Sequence, residues 1–128
     1  MQVTDFDGSF QVQSADELLA RLRSVRRGDD GAFVLDHGGP ESLWLHVKGD
    51  AAFVWFCIDP ATGRAGFVPD GMWAGAREGV QFRLVGGSAA DDIEVPWWQL
   101  LPPETAYRAA VEYLHSPARP ASVSWFEL

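Results

Sequence analysis

The chain has 128 residues, 47% of them hydrophobic, enough apolar material for one core at the commonest domain size. Eighteen acidic residues against ten basic ones give a formal net charge of -8, which disfavours nucleic-acid backbones and anionic membranes; by itself the charge is best read as aiding solubility, and any charged macromolecular partner would be basic. No run reaches the roughly 18 apolar residues of a membrane span, "MQVTDFDGSF" has no basic or apolar leader pattern, and the one cysteine, Cys57, excludes an internal disulfide. The expectation is a single domain over 1–128 in a reducing compartment, the cytoplasm.

In chain order, "FQVQ" (10–13) reads as a short strand. "SADE" (14–17) is a capping box, in which Ser14 accepts from the Glu17 N–H while the Glu17 carboxylate reaches back. Leu18, Leu19, Leu22 and Val25 follow at one-face helical spacing, with Arg21, Arg23, Arg26 and Arg27 toward water and Gly28 ending the helix. Extended segments come next. "AFVLDH" (32–37) precedes a turn, and "LWLHVK" (43–48) and "AAFVWFCI" (51–58) flank Gly49-Asp50, a two-residue hairpin loop. That loop sets Trp44 opposite Trp55 and His46 opposite Phe53 on one face, with Leu45 opposite Val54 and Leu43 opposite Phe56 on the other. Both faces are apolar, which predicts a central hairpin covered at least partly on both sides.

"DPATG" (59–63) reads as a turn and "RAGFV" (64–68) as a strand. A glycine-rich loop (69–79) leads into the alternating "VQFRLV" (80–85), and "IEV" (93–95) is extended before Pro96. The second helix opens at Pro102 and Pro103, with Glu104 complementing its dipole. Ala106, Ala110, Tyr113 and Leu114 form its inner stripe, and Glu104, Arg108 and Glu112 an outer charge ladder. Ser116-Pro117 stops it and "ASVSWFEL" returns as a last strand. The predicted fold class is α+β, a mainly antiparallel sheet with two helices packed on it.

Chemistry is scarce. His37, His46 and His115 are far apart in sequence, no metal-binding spacing occurs, and His46 reads as the polar member of a strand. "DFDG" (5–8) fails as a calcium loop, because Phe10 and Asp16 stand where glycine and glutamate are needed. Cys57 sits in the most apolar strand and reads as a core thiol. No nucleophile elbow, phosphate loop or dinucleotide fingerprint is present. No catalytic residue, metal or cofactor is therefore assigned, and an enzyme is the weakest reading.

Aromatic side chains are in excess, with six tryptophans. Strand alternation makes Trp44, Trp55 and Trp125 structural. Trp73, Trp97 and Trp98 lie in irregular segments, and extended backbone at 97–98 would send one ring into the core and the other outward. An outward tryptophan near Asp91, Asp92 and Glu94 suits a protein interface, an aromatic anchor amid charges that steer a basic partner. The competing reading has both rings sealing the start of the second helix.

The segment "EVPWWQLLPPETAYRAAVEYLHSPARPASVSWFEL" resembles the C-terminal signature of a family of bacterial polymorphic-toxin immunity proteins, the first in the numbered immunity series. The shared pattern falls on Val95-Pro96, Glu104, Ala106, Ala109, Ala110, Tyr113, Leu114, Arg119-Pro120, Val123, Trp125 and Glu127. The upstream hairpin and glycine-rich loop are also similar, so the likeness covers most of the chain and is specific over the last third. "LHSPARP" lacks the family's usual glycine before the R-P step, and Trp97 and Trp98 add bulk. The resemblance implies a protein that binds and silences one cognate toxin as a 1:1 heterodimer. Such toxins are often nucleic-acid deaminases, including DNA cytosine deaminases, and the toxin would carry the zinc and general-acid glutamate. The shared residues then define a scaffold, and partner choice falls to 59–79 and 88–98. The candidate toxin-facing set is Asp59, Asp70, Trp73, Glu78, Asp91, Asp92, Glu94 and Trp98. Two alternatives are a secretion adaptor or chaperone that escorts an effector without inhibiting it, and a small enzyme or ligand-binding domain using the tryptophan-lined sheet face.

Overall fold

The computed structural model describes residues 1–24, 29–58, 66–71, 73–85 and 92–128. Two short strands, β1 (Gln2–Thr4) and β2 (Ser9–Gln11), form an opening hairpin whose turn is "DFDG". Asp5 Oδ1 accepts from the backbone N–H groups of Asp7 (2.8 Å) and Gly8 (3.2 Å), while Oδ2 takes Arg21 Nε at 3.2 Å. The Arg21 guanidinium also lies 3.3 Å from the Phe10 ring centroid. Arg21, expected in water, thus ties the first helix to this hairpin.

That helix, α1 (Ala15–Ser24), begins where its cap predicts. Ser14 Oγ accepts from the Glu17 N–H at 3.2 Å, but the Glu17 carboxylate accepts from the Ser14 hydroxyl (3.3 Å) instead of reaching the backbone. Leu18 and Leu22 are buried and Leu19 partly so, while Val25 to Gly28 lie outside the described residues.

Three long strands follow, β3 (Asp30–Asp36), β4 (Ser42–Lys48) and β5 (Ala51–Cys57). The β4–β5 register pairs Trp44 with Trp55, His46 with Phe53, Leu45 with Val54 and Leu43 with Phe56, as the two-residue loop requires. Gly49 turns there at φ 56°, in the left-handed region where glycine pays no Cβ penalty. Further on come β6 (Phe67–Pro69), β7 (Val80–Phe82), β8 (Ile93–Val95), a 3-10 turn (Trp97–Gln99), α2 (Pro103–His115) and β9 (Trp125–Glu127). Seven strands form one antiparallel sheet in the order β2-β1-β3-β4-β5-β6-β9, and β7 with β8 form a separate ribbon. The fold is α+β, as the sequence predicts.

Some boundaries differ. β1 was not foreseen. The expected strand at 80–85 shrinks to Val80–Phe82, and it leaves the main sheet for the ribbon. The strand expected at 64–68 appears as Phe67–Pro69, with residues 59–65 outside the described set.

The sheet has two apolar faces. On the first, Phe33, Leu35, Leu43, Leu45, Val47, Val54 and Phe56 pack with Leu18, Leu22, Ala106, Ala109, Ala110 and Tyr113 from the helices. The three alanines are fully buried, and their small side chains let α2 lie close on β4 and β5. On the second face, Phe53 packs with Val68, Ala76, Phe82, Val95 and Leu100. This smaller core is roofed by the ribbon and the loop before it.

Candidate partner-binding surface

Strand alternation fixes which side chains share the second face. Reading across the sheet by register, Thr4, Val34, Trp44, Trp55, Val68 and Phe126 form one lateral row over six strands, since Phe56 pairs with Phe67 and Val68 with Phe126. The adjacent row, Ala32, His46 and Phe53, is buried beneath the ribbon. Val34, Trp44 and Trp55 are only half-buried, and Phe126 at the sheet edge is 46% exposed. The ribbon therefore covers part of this face and leaves an aromatic strip beside it. Trp44 and Trp55 lie 5.8 Å apart, and the Trp44 indole donates to Ser42 Oγ at 3.0 Å. Cys57, expected in the core, is half-buried: it ends β5 on this incompletely covered face, opposite Ser42.

The segment "PWWQLLPP" explains itself through backbone bonds. Pro96 opens the 3-10 turn, with Gln99 N–H donating to Pro96 O and Leu100 N–H to Trp97 O. Leu101 and Ala52 exchange two 2.8 Å bonds, pinning the segment to β5, and Pro102 caps α2 with Pro103 in its first turn. The backbone at Trp97 and Trp98 is thus a tight turn, not extended, and the expectation of one ring in and one ring out is not met. Trp97 is 51% exposed, and Trp98 is half-buried, edge-on to Phe126 at 5.9 Å. A 3-10 turn separates consecutive side chains by about 120°, so neither ring is sent straight into the core.

Of the predicted site residues, Asp59 and Asp91 lie outside the described set. Asp70 and Trp98 come together, because Gly71 N–H donates to Trp98 O at 2.7 Å and Asp70 N–H to Ser124 O at 3.0 Å, leaving Asp70 exposed beside the aromatic pair. Glu78 and Glu94 are exposed, on the loop and the ribbon respectively. Trp73 is half-buried against the second core, with its indole folded over Gly75. Asp92 is half-buried, and its Oδ1 has no hydrogen-bond partner. The sequence reading missed Trp97, Phe126 and Leu128, among the described residues the large apolar side chains most open to solvent. Alternation along β9 could have put Phe126 opposite Trp125; its exposure depends on which neighbour β9 finds.

The residues shared with the immunity-protein signature do structural work. Arg119 lies 3.9 Å from the Phe67 ring centroid, and the buried Pro120 offers its carbonyl to the Trp125 indole at 2.7 Å. Glu104 reaches Arg23 of α1 at 2.9 Å, and Glu112 accepts from the Ser122 N–H at 3.1 Å, so two members of the expected ladder serve tertiary contacts. Tyr113 donates to Glu41 O, and its carbonyl meets His37 Nε2 at 2.6 Å; burial, then the Asp36 and Glu41 carboxylates, push the Tyr113 hydroxyl up to about 12.

His46 is fully buried, stacked on Phe53 and tilted at 48° to Phe82, with both ring centroids 6.0 Å away. Neither ring nitrogen makes a hydrogen bond of ordinary geometry, although the Arg83 backbone lies near enough to act on the ring. Burial pulls its pKa down to about 4, opposed weakly by the nearby Arg83 backbone. Among the described residues no three His, Cys, Asp or Glu side chains converge on a possible metal position. No helix of the described residues is long and apolar enough to cross a membrane.

A search of curated proteins returns no match. Comparison with known families matches residues 7–127 to one described as "Immunity protein Imm1", a span that includes both helices, the ribbon and all but the first strand. With nearly the whole chain matched, and the signature residues accounted for as the joints of this scaffold, the protein belongs to the Imm1 family of immunity proteins.

Proposed function

We propose that this immunity protein binds its cognate toxin as a 1:1 complex through the second sheet face and its borders. Inhibition is by occlusion of a basic substrate cleft, and the toxin is a zinc-dependent deaminase acting on cytosine in DNA. The chain contributes binding and no catalysis, and it acts as one immunity-protein-like domain over 1–128. The observation that carries the binding reading is the pairing of the exposed rings of Trp97 and Phe126, and the half-buried Trp98 edge-on to Phe126, with the exposed carboxylate of Asp70. Aromatic anchors with acidic neighbours are what a basic protein surface recognises. A toxin that grips DNA needs a positive cleft, and a chain of net charge -8 is attracted to one while resembling its substrate in charge. Glu78, Glu94 and Trp73, with Asp59, Asp91 and Asp92, complete the proposed contact set.

The test is co-expression with the toxin domain encoded beside this chain, followed by purification at moderate salt and a DNA cytosine deamination assay on the complex. A stable complex with lost activity supports neutralisation. A stable complex that keeps full activity identifies an escort for the effector instead, and activity lost on a substrate other than DNA cytosine corrects the toxin's chemistry while leaving immunity intact.

A further inference from the structure

Accepting that this chain binds a toxin, we infer that the docking surface is centred on the aromatic end of the second sheet face, on Trp97, Trp98 and Phe126, with Trp55 and Trp44 farther along the same face. The partner element is an apolar or aromatic side chain of the toxin ringed by lysine or arginine. Three observations converge. First, the lateral row from Val34 to Phe126 crosses five strands without a charged side chain; Val34, Trp44 and Trp55 are half-buried and Phe126 is exposed, on either side of the buried Val68. Second, the row ends at Phe126, with Trp98 edge-on to it at 83°, and Trp97 and Leu128 stand more than half in water. Such rings bury large area at little entropy cost, which is why tryptophan leads the anchors of known interfaces. Exposed patches of this kind are unusual on a surface with no partner.

Third, charge selects the occupant. Asp36 follows Val34 on the same face one row on, Asp70 borders Trp98, and Glu94 is exposed on the ribbon strand that leads into the 3-10 turn. Lys48, on the same face, has its ammonium engaged with Gln81 O at 3.3 Å, and Arg119 stacks on Phe67, which alternates to the opposite face. An apolar patch bordered by carboxylates repels a second copy of this acidic chain and attracts a basic rim. The patch is also held in place, because the Gly71–Trp98 and Leu101–Ala52 bonds fasten the 3-10 segment to the chain just past β6 and to β5, and the Asp70–Ser124 bond ties that chain to the residue before β9. A preformed patch loses little entropy on docking.

The experiment measures affinity for the cognate toxin domain by biolayer interferometry, with thermal melts on each variant and light scattering on the free chain. Trp97→Asp and Phe126→Asp are expected to weaken binding about 100-fold or more, the range of central anchor residues. Ala20→Glu, on the exposed surface of α1, is expected to bind as the parent does. Should Phe126→Asp fail to fold, Trp97→Asp and Leu128→Asp carry the test, since both change side chains already more than half in solvent. If the parent neutralises the toxin and Trp97→Asp and Leu128→Asp bind it undiminished, the docking surface lies elsewhere and the immunity reading survives. If the free chain is a dimer that Trp97→Asp dissociates while toxin binding is unchanged, the patch belongs to a second copy and the inference is overturned. A parent that neither binds nor neutralises the toxin removes the functional reading and this surface with it.

Discussion

His46 shows how one residue can carry a pH dependence for the whole fold. Its ring is buried against Phe53 and Phe82 with no well-formed hydrogen bond at either nitrogen, and its pKa falls from 6.5 to about 4. The folded state therefore prefers the neutral ring. This contribution is fully present above pH 6.5, where the unfolded ring is also neutral, and is lost as pH falls from 6.5 toward 4. Each pKa unit corresponds to about 1.4 kcal/mol, so the total loss is about 3 kcal/mol. Urea midpoints of the parent and of His46→Phe, compared from pH 7.5 to 4, are expected to converge differently: the variant should lose less stability over that window, with the carboxylates common to both cancelling. Equal losses would show that the ring is solvated or partnered in solution.

At the scale of elements, the immunity signature reads as a set of joints. The buried alanines of α2 set the distance between helix and sheet, Glu104 joins α2 to α1, and the Pro120 carbonyl holds the Trp125 indole so that β9 lies on β6. Ala110 is fully buried in the first core. Ala110→Leu would have to push the helix off β4 and β5, and overpacking of this kind costs about 1–3 kcal/mol. A thermal melt is expected to show the loss, and an unchanged melting temperature would mean that the helix has slack against the sheet. Element boundaries followed local chemistry where it was strong. The Ser14 cap, the Gly49-Asp50 loop and the Pro102-Pro103 start are all where turn and cap rules put them. The Trp97–Trp98 backbone was misjudged because proline on each side is compatible with an extended stretch or a single 3-10 turn, and the choice rests on the Leu101–Ala52 bonds made to a distant strand.

For the molecule as a whole, the net charge of -8 acts over distances that individual contacts do not reach. If the toxin is basic, association is steered at low salt and slows as salt screens the field. The association rate constant is expected to fall about 10-fold or more between 50 and 500 mM salt, with dissociation changing less, because screening acts on encounter more than on the packed aromatic contact. Stopped-flow measurements on parent toxin and parent immunity protein check this, and a salt-independent on-rate would remove steering from the account. The same charge is spread over many loops, so it indicates a kind of partner without locating a contact.

Periodicity together with cap and turn chemistry determined the two helices, the register of the central hairpin and the α+β class, because a 3.6-residue or two-residue repeat of apolar side chains bounded by such signals admits few local solutions. The matching span of the immunity family was likewise visible in Arg119-Pro120, the α2 alanines and Trp125, residues of the last third of the chain, although what Arg119 and the alanines pack on, Phe67 and the strands β4 and β5, lies far upstream. Tertiary structure alone decided how much of the second face is covered. Alternation states that Trp44, Trp55 and His46 share a side; it does not state that the remote ribbon Val80–Phe82 with Ile93–Val95 closes over His46 and stops short of Trp44. It also put β9 beside β6, leaving Phe126 and Trp98 at an open edge with Trp97 beyond them. Burial is a property of the assembled layers, and exposure at this edge depends on contacts between segments tens of residues apart.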